Sequence, residues 1–144
     1  MREPDLAAVV ALEAESHVAP WTRENFRDAL VASYSATVGE IGEAIIAYGV
    51  MMLAPGEAQL LNLTVARLLR RRGIGRALLR RFLSDAVRLG AEQCFLEVRM
   101  SNQGAIALYA AEGFEPVARR VGYYPGIGSE REDALVLRRS LRRG

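Results

Sequence analysis

The feature that most constrains this chain is a glycine-containing turn between a predicted strand and a long amphipathic helix. Leu60-Leu61-Asn62-Leu63-Thr64-Val65 is typical of a strand, and Gly73 and Gly75 stand where the helix begins. Glycine inside a helix costs about 1 kcal/mol relative to alanine, so two in one turn require a reason. Without side chains, the backbone N–H groups of the turn can approach an anion, and the helix dipole adds positive potential. The segment therefore predicts a phosphate or pyrophosphate site.

Other interpretations of this turn fit less well. A dinucleotide-binding G-x-G-x-x-G fingerprint needs a third glycine where Leu78 stands. A P-loop needs a lysine, and all 19 basic residues of the chain are arginine. The remaining alternative is a helix start that glycine makes flexible, with solvated arginines and no ligand.

The composition indicates an ordinary globular protein. The 144 residues, of which 51% are hydrophobic and 25% charged, predict a single domain spanning residues 1–144 and exclude disorder and fibrous repeats. The longest apolar stretch, Ala44 to Ala54, is too short to span a bilayer, and the N-terminus does not resemble a signal peptide. One cysteine and one histidine provide neither an internal disulfide nor a multi-cysteine metal site. We therefore expect a cytoplasmic protein with no metal and no membrane partner.

Charge is unevenly distributed along the chain. Residues 1–43 hold eight acidic residues and three arginines, whereas residues 67–88 hold eight arginines and one acid, Asp85. This asymmetry is consistent with an anionic ligand near the middle and a cationic partner near the front, or simply with solvated helix faces. A nucleic-acid-binding domain built on the arginines of 67–88 is a further alternative. No aromatic residues alternate with these arginines as a stacking platform would require, so we expect no direct nucleic-acid contact.

Hydrophobic periodicity predicts a mixed α/β domain. Helices are expected near residues 6–16, 23–32, 70–90 and 103–112, with Gly90 and Gly113 following the last two. Strands are expected near 35–40, 44–53, 58–65, 93–98, 114–121 and 134–137, the first three as an antiparallel meander with a turn at Pro55-Gly56.

Several motifs together point to one protein family. Arg70-x-x-Gly73-x-Gly75 after Asn62-Leu63-Thr64-Val65 resembles the acetyl-coenzyme A loop of the GCN-type N-acetyltransferases (GNAT), whose backbone amides hold the coenzyme pyrophosphate. Within that superfamily, the ribosomal-protein-alanine (RimI-type) N-acetyltransferases are similar in further segments: Pro20-Trp21-Thr22, Leu96 to Asn102, Ala105 to Tyr109, Gly113-Phe114, Tyr123-Tyr124-Pro125 and Arg131 to Ala134. The resemblance runs from about residue 5 to residue 138. It implies the GNAT fold, with a mixed, mostly antiparallel central sheet flanked by helices.

The resemblance also implies a reaction, the direct attack of a protein N-terminal α-amine on acetyl-CoA in a ternary complex. Glu97 matches the family's catalytic base, acting directly or through a water. A carboxylate in an apolar strand has its pKa raised by desolvation, which suits proton abstraction. Tyr109 matches the family's general acid, and a phenol with a pKa of about 10 remains protonated at neutral pH. The alternatives from the pattern alone are a solvent-facing glutamate and an aromatic residue that anchors its helix to the sheet.

The same resemblance assigns binding residues. The coenzyme arm is expected along the backbone of the predicted strand, with Val65 polarising the thioester carbonyl, and the pyrophosphate on the turn and its arginines. Asn102 is expected to touch the coenzyme, although helix capping alone explains its type. The expected acetyl-CoA-binding residues are Leu63, Thr64, Val65, Arg71, Arg72, Gly73, Ile74, Gly75, Arg76 and Asn102.

The acceptor side is expected at Trp21, Tyr123 and Tyr124, in or beside loops that match the family's peptide entrance. The family's substrate is a ribosomal protein with an arginine-rich N-terminus, which the acidic front third of this chain suits. Trp21 is equally consistent with packing the first two helices onto the core. We assign no role to His17, near Trp21, and expect Cys94 to be buried and inert, which disfavours a cysteine acyl-enzyme.

Two departures from the family pattern stand out. Ala66 to Leu69 replaces the usual Asp-Pro and short polar loop, so we expect a differently shaped strand end and altered coenzyme affinity. The family's first strand is short or missing ahead of the first helix, since only Met1 to Pro4 precede the segment, which is consistent with a misplaced start. Rival functions are a GNAT enzyme acting on a small amine or an unrelated protein, and a coenzyme-binding protein without catalysis.

Overall fold

The computed structural model describes residues 1–141, so the last three residues of the predicted domain 1–144 lie outside the described part. The element order confirms the predicted succession of two helices, three strands, helix, strand, helix and two strands. The helices are α1 Leu6–Ser16, α2 Arg23–Val31, α3 Ile74–Arg88 and α4 Gln103–Ala111. The strands are β1 Ser35–Ile41, β2 Ala44–Ala54, β3 Glu57–Val65, β4 Gln93–Arg99, β5 Glu115–Pro125 and β6 Arg131–Ser140. Single 3₁₀ turns add Glu3–Asp5 and Arg67–Leu69.

The six strands form one sheet in the order β1-β2-β3-β4-β6-β5. Every neighbouring pair is antiparallel except β3 and β4, which are parallel. Parallel neighbours need a crossover connection, and α3 supplies it. The sheet is therefore mixed and mostly antiparallel, as the family resemblance implied.

Each face of the sheet carries its own apolar core. Side chains alternate between the faces of a strand, so β2 directs Ala47 and Met51 toward α3 and α4, and Tyr48 and Val50 toward α1 and α2. The first core adds Leu60, Leu79, Phe82, Leu96 and Phe114. The second adds Leu6, Val9, Phe26 and Ala29. We call these sides the α3/α4 face and the α1/α2 face.

A β-bulge in β3 changes which residues face each side. Val50 pairs with Asn62 and Met51 with Leu60, so Leu61 is the extra residue. Before the bulge, Ala58 and Leu60 pack in the α3/α4 core, and after it Leu63 and Val65 do so. The polar residues Asn62 and Thr64 consequently turn to the α1/α2 face, where they bond to side chains of α1 and the residue after it.

The start of α3 differs from the prediction. The helix begins at Ile74 rather than near Arg70, because Arg71 and Gly73 have left-handed φ angles of 65° and 80°, which a right-handed helix cannot contain. The segment after Val65, where the sequence departs from the family pattern, forms the 3₁₀ turn Arg67–Leu69 instead of helix or strand. Strands β5 and β6 are also longer than predicted. Among residues 1–141 no helix is both long and apolar enough to cross a membrane.

Gly49 tests the packing of α3 on the sheet. A Cβ at this position of β2 would lie 2.5 Å from Phe82 Cε2 and 3.0 Å from the Asn62 carbonyl oxygen. We expect Gly49→Ala to lower the free energy of unfolding by about 1–3 kcal/mol, because overpacking forces the ring and the backbone apart. Gly104→Ala in α4 is the control, since a Cβ there meets open space and should leave stability unchanged or raised. Equal urea midpoints for the two variants would contradict this packing.

Candidate active site

Strands β3 and β4 separate after four paired residues. Glu57–Leu60 pair with Gln93–Leu96, and the pairing ends there. Residues 62–65 continue to pair with β2, and residues 97–99 with β6, so each strand keeps its outer neighbour while the two diverge. The facing edges of residues 61–65 and 97–99 therefore carry backbone N–H and C=O groups without a strand partner within the described chain. An edge of this kind binds an extended ligand through main-chain hydrogen bonds. We call this opening the cleft.

The N-terminus of α3 lies beside the end of β3 and has no side-chain cap. Gly73 is the N-cap residue, and the first helical bond runs from the Ala77 N–H to the Gly73 carbonyl at 3.0 Å. The N–H groups of Ile74, Gly75 and Arg76 consequently have no partner inside the helix. Uncapped donors and the helix dipole together attract an anion.

The two glycines of this turn are needed for different reasons. Gly73 has a φ of 80°, which a residue with a side chain adopts only with strain. Gly75 has ordinary helical geometry, and a Cβ there would meet Val65 Cγ2 at 3.5 Å and Leu108 Cδ2 at 3.7 Å, which is normal contact. Packing in the protein alone therefore does not require glycine at position 75. A glycine there is instead consistent with a ligand that approaches the backbone closely, such as a phosphate ester.

The arginines around the turn are not equivalent. Arg76 and Arg80 both pair with the Glu112 carboxylate, at 2.9 and 3.0 Å, and that side chain is only 8% exposed. Arg70 Nε donates to the Val65 carbonyl at 3.1 Å and covers the end of β3. Arg71 and Arg72 are exposed on the turn itself. Their guanidinium groups are thus free for an anion, whereas Arg76 offers chiefly its backbone N–H.

Glu97 lies on β4 on the α1/α2 face. Cys94, Leu96 and Val98 belong to the α3/α4 core, so alternation places Phe95, Glu97 and Arg99 on the other side. Glu97 Oε1 is 3.2 Å from Arg120 Nη2, and a hydrogen bond with Glu97 raises the pKa of Tyr123. The surroundings of this carboxylate are therefore more polar than the apolar strand led us to expect.

Tyr109 lies on the opposite face, buried in the α3/α4 core. Its ring makes an edge contact with Phe114 at 5.7 Å between centroids. Burial raises the pKa of Tyr109, and the neighbouring Cys94 and Tyr124 add to the shift, so the phenol keeps its proton well above neutral pH. Within residues 1–141 its hydroxyl has no hydrogen-bond partner, and no fully enclosed side-chain polar atom there lacks one. The hydroxyl therefore reaches solvent.

Tyr123 and Tyr124 form an aromatic wall near Glu97. Their centroids are 5.0 Å apart, and the Arg120 and Arg99 guanidinium groups lie over the two rings at 4.9 and 4.5 Å respectively. Burial raises the pKa of Tyr124 to about 12, with a smaller contribution from the Glu97 charge. The sequence predicts these two tyrosines at a peptide entrance; the structure places them near Glu97, and their contact with a peptide stays a prediction.

The segment after the tyrosine pair braces this wall. Glu132 accepts from Arg99 Nη1 at 3.0 Å and from the Ser101 N–H at 2.8 Å, and Asp133 accepts from the Gly122 N–H at 2.8 Å. The hydrogen bonds from Ser101 and Gly122 lower the pKa of the two carboxyls, respectively. Sequence reasoning used these residues only as a family match, and the structure gives them a bracing role.

A buried polar network lies beneath the cleft on the α1/α2 face. The Glu13 side chain is 2% exposed and accepts from the Tyr48 hydroxyl, from Asn62 Nδ2 at 3.0 Å and from the Trp21 N–H at 2.9 Å. His17 Nε2 is 2.8 Å from Thr64 Oγ1, which bonds in turn to Asn62. Sequence reasoning assigned His17 no role and located Glu13 only within the helix expected near residues 6–16. The sequence does contain a signal for this network, because an acidic residue lies on the apolar face of α1, four positions before the histidine.

Trp21 and Asn102 make the contacts expected of a packing residue and of a helix cap, respectively. The Trp21 ring packs on Phe26 at 5.1 Å, and in the described chain no hydrogen bond or ring contact joins it to Tyr123 or Tyr124. Asn102 Oδ1 accepts from the Ala105 N–H at 3.2 Å and caps α4. Ligand contacts by these two residues remain predictions.

The one cysteine of the chain lies in the α3/α4 core. Cys94 is buried and unpaired, and burial raises the pKa of its thiol to about 11, as expected for an inert cysteine. Residues 1–141 contain no group of three or more histidine, cysteine or acidic side chains arranged to hold a metal ion.

Comparison with known proteins identifies the family. The model of the acetyltransferase (GNAT) family matches residues 6–114. The chain is a GNAT acetyltransferase. The predicted family and fold are thereby confirmed.

Individual GNAT relatives resemble the chain over most of its length. It is 33% identical to the [Ribosomal protein bS18]-alanine N-acetyltransferase of Escherichia coli strain K12, over 92% of this chain and 89% of that protein. It is 31% identical to a putative enzyme of the same description from Bacillus subtilis, over 95% and 90%. The crystal structure of the ribosomal-protein-S18-alanine N-acetyltransferase from Escherichia coli superimposes with a TM-score of 0.91 at 30% identity, covering 100% of this chain and 92% of that one.

Replacing Glu13 tests the buried network of this GNAT protein. We expect Glu13→Ala to lower the free energy of unfolding by about 1–3 kcal/mol or more, because the Tyr48, Asn62 and Trp21 donors lose their acceptor while remaining buried. Glu15→Ala, on the exposed side of the same helix, is the matched control. Chemical denaturation of both variants measures the difference, and a Glu13 variant as stable as the control would show that the network contributes nothing.

Proposed function

We propose that this GNAT protein transfers the acetyl group of acetyl-CoA to the α-amino group of the N-terminal alanine of a small-subunit ribosomal protein of the S18 kind. The observation that carries the proposal is the cleft, which opens to both faces of the sheet with Glu97 on one face and Tyr109 on the other. A donor and an acceptor can then approach from opposite sides. The names of the relatives support the choice of acceptor.

The residues of the cleft fit the parts of acetyl-CoA. The unpaired edge of Leu63, Thr64 and Val65 offers backbone groups to the extended amide-bearing arm. The free N–H groups of Ile74, Gly75 and Arg76, the open turn at Gly73 and the side chains of Arg71 and Arg72 suit the pyrophosphate. Asn102 adds a contact from the start of α4. In this proposal the Val65 N–H region polarises the thioester carbonyl.

Two residues handle protons in the proposed reaction. Bound acetyl-CoA supplies an acetyl group activated as a thioester, and transfer forms an amide bond and releases the coenzyme thiol. Glu97 accepts a proton from the attacking amine, whose pKa of about 8 leaves a modest base sufficient. Tyr109 donates its proton to the departing thiolate, since burial keeps the phenol protonated.

The acceptor side of the proposal rests on shape. Tyr123 and Tyr124 form one wall of the entrance, beside Glu97. Trp21 closes the loop after α1 from the other side, through its N–H bond to Glu13. A ribosomal substrate places the reaction in the cytoplasm, and residues 1–144 act as one catalytic domain.

The coenzyme part of the proposal predicts a specific effect at Gly75. We expect Gly75→Ala to leave the unfolding midpoint unchanged or raised, because the Cβ makes only ordinary contacts. In this proposal the added methyl group also crowds the pyrophosphate at the start of α3, so the dissociation constant for acetyl-CoA should rise about tenfold or more, as for loss of a hydrogen bond to a charged group. Calorimetric titration measures the affinity. Ser84→Ala, exposed on the same helix, should bind like wild type, and equal affinity in the Gly75 variant would remove the turn from the coenzyme site.

The acceptor is tested by mass spectrometry of a library of synthetic peptides with different N-termini, each incubated with acetyl-CoA. We expect acetylation at the α-amine of alanine peptides. Glu97→Gln and Tyr109→Phe should each lower the turnover number about 10²- to 10⁴-fold, the usual contribution of general acid–base catalysis, with acetyl-CoA affinity retained. Acetylation of small amines but of no peptide would replace this proposal with the small-amine function. Coenzyme binding without any acetylation, or unchanged turnover in both variants, would contradict the chemistry.

A further inference from the structure

His17, the single histidine of the chain, lies at the rim of the cleft. It follows α1 directly, and its Nε2 is 2.8 Å from Thr64 Oγ1 on the unpaired part of β3. Arg70, ahead of α3, and Arg99, at the end of β4, both act on its ring electrostatically. Its side chain is 34% exposed. The ring therefore faces the opening between the two strands, on the same face of the sheet as Glu97.

The buried network determines which ring nitrogen carries the proton. Only the amide N–H of Asn62 can face the Glu13 carboxylate, so its Oδ1 faces Thr64. The Thr64 hydroxyl donates its one proton to that Oδ1, at 2.8 Å. Thr64 Oγ1 must then accept from His17 Nε2, which carries the proton. The hydrogen bonds run in one direction from His17 to the buried Glu13.

This direction leaves Nδ1 of the neutral ring as a lone pair. His17 has no other hydrogen-bond partner in the described chain, and no fully enclosed side-chain polar atom there is unpaired, so Nδ1 reaches solvent. Burial lowers the pKa of His17, with Arg70 and Arg99 acting in the same direction and Glu13 opposing them. The other groups behind the ring are the uncharged Tyr48 hydroxyl, Asn62 and Thr64. The imidazole is therefore neutral at neutral pH and free to accept a proton.

The proposed reaction has more protons to move than Glu97 and Tyr109 account for. An α-ammonium group carries three protons and the product amide carries one. Two protons must therefore leave nitrogen: one balances the released coenzyme thiol and the other goes to solvent. Glu97 is already paired with Arg120 and bonded to Tyr123. With a second proton acceptor on the same face of the sheet, each acceptor takes one of the two protons that leave nitrogen.

We propose that His17 is this second acceptor, its Nδ1 taking the proton that leaves the α-ammonium on entry, while Glu97 takes the proton lost as the amide forms. The His17 proton then passes to solvent through the exposed edge of the ring. Glu13, whose Oε1 lies 3.4 Å from His17 Nε2 and which also acts through Asn62 and Thr64, is a positioning residue that holds the ring in the Nε2–H form. This inference rests on the function proposed above.

The tautomer is tested first, by nitrogen NMR of the ring in tag-free protein at pH 7 to 8. With one histidine in the sequence, the signals need no assignment. We expect a protonated Nε2 and a lone pair on Nδ1. A ring protonated on Nδ1 would overturn the inference, whatever the activity of the protein.

The catalytic role is tested with His17→Gln, whose amide N–H can still donate to Thr64 but which accepts no proton at neutral pH. We expect kcat/KM for a peptide with an N-terminal alanine to fall by up to about tenfold at pH 7, because only about a tenth of an amine with a pKa of about 8 is neutral there. The ratio of the wild-type to the variant kcat/KM should approach one above pH 9, because an α-amine with a pKa of about 8 is then already neutral. Acetyl-CoA affinity should not change.

The matched control is Glu15→Gln, exposed on the same helix, which should follow the wild-type pH profile. A deficit in His17→Gln that is equal at every pH would show a purely structural role, and no deficit would remove His17 from the reaction. Both results overturn this inference while peptide acetylation by wild type leaves the proposed function standing. A wild-type protein that acetylates no N-terminal peptide overturns both.

Discussion

The separation of β3 from β4 after four paired residues is the constraint on which the rest of the site depends. Parallel strands normally continue to pair, because an unpaired N–H or C=O that is buried costs free energy. Here each strand keeps its outer neighbour, so the sheet holds together while the inner edges open. The cost is tolerated where a ligand or solvent satisfies those groups. The opening also joins the two faces of the sheet, with Glu97 on one and Tyr109 on the other, as the proposed reaction requires.

The bulge at Leu61 determines what lines the β3 side of this opening. One extra residue reverses the alternation, so Leu63 and Val65 pack on α3 and α4, while Asn62 and Thr64 turn toward Glu13 and His17. Without the bulge, two polar side chains would enter the α3/α4 core and two apolar ones would face Glu13. The buried carboxylate is stable only because this register supplies Asn62, beside Tyr48 and the Trp21 N–H, as donors. The bulge, the network and the cleft therefore form one arrangement.

Much of this arrangement could be predicted from the sequence, and the exceptions have physical causes. Local periodicity located every α-helix and strand of the described chain, and the glycine turn predicted a phosphate site because two glycines in one helical turn are costly. Binding of a phosphate there stays a proposal. The start of α3 was misplaced because the left-handed φ of Arg71 is not encoded by its residue type. The Arg120 partner of Glu97 comes from a strand more than twenty residues away, so no local pattern indicates it. The contact between His17 and Thr64 was missed for the same reason, since a bulge decides where Thr64 points.

The contacts in the structure show that the charge asymmetry of the sequence overstates the number of free charges in each segment. Among the acidic residues of the front third, Glu13 is buried in the network and Glu3 pairs with Arg27 at 2.6 Å, so fewer charges attract a basic peptide than the count implies. Among the arginines of 67–88, Arg76 and Arg80 hold Glu112 and Arg88 pairs with Asp85, while Arg71 and Arg72 remain exposed on the turn. Arg67 and Arg70 also precede α3 without an ion pair, and Arg81 is the one arginine on α3 that has none among the described residues. Free positive charge is thus concentrated just before α3, rather than spread along the helix as binding to a nucleic-acid backbone would need. In the proposed function, selectivity for an acceptor therefore depends less on net charge than on the aromatic wall of Tyr123 and Tyr124 and the loop tied to Glu13 at Trp21.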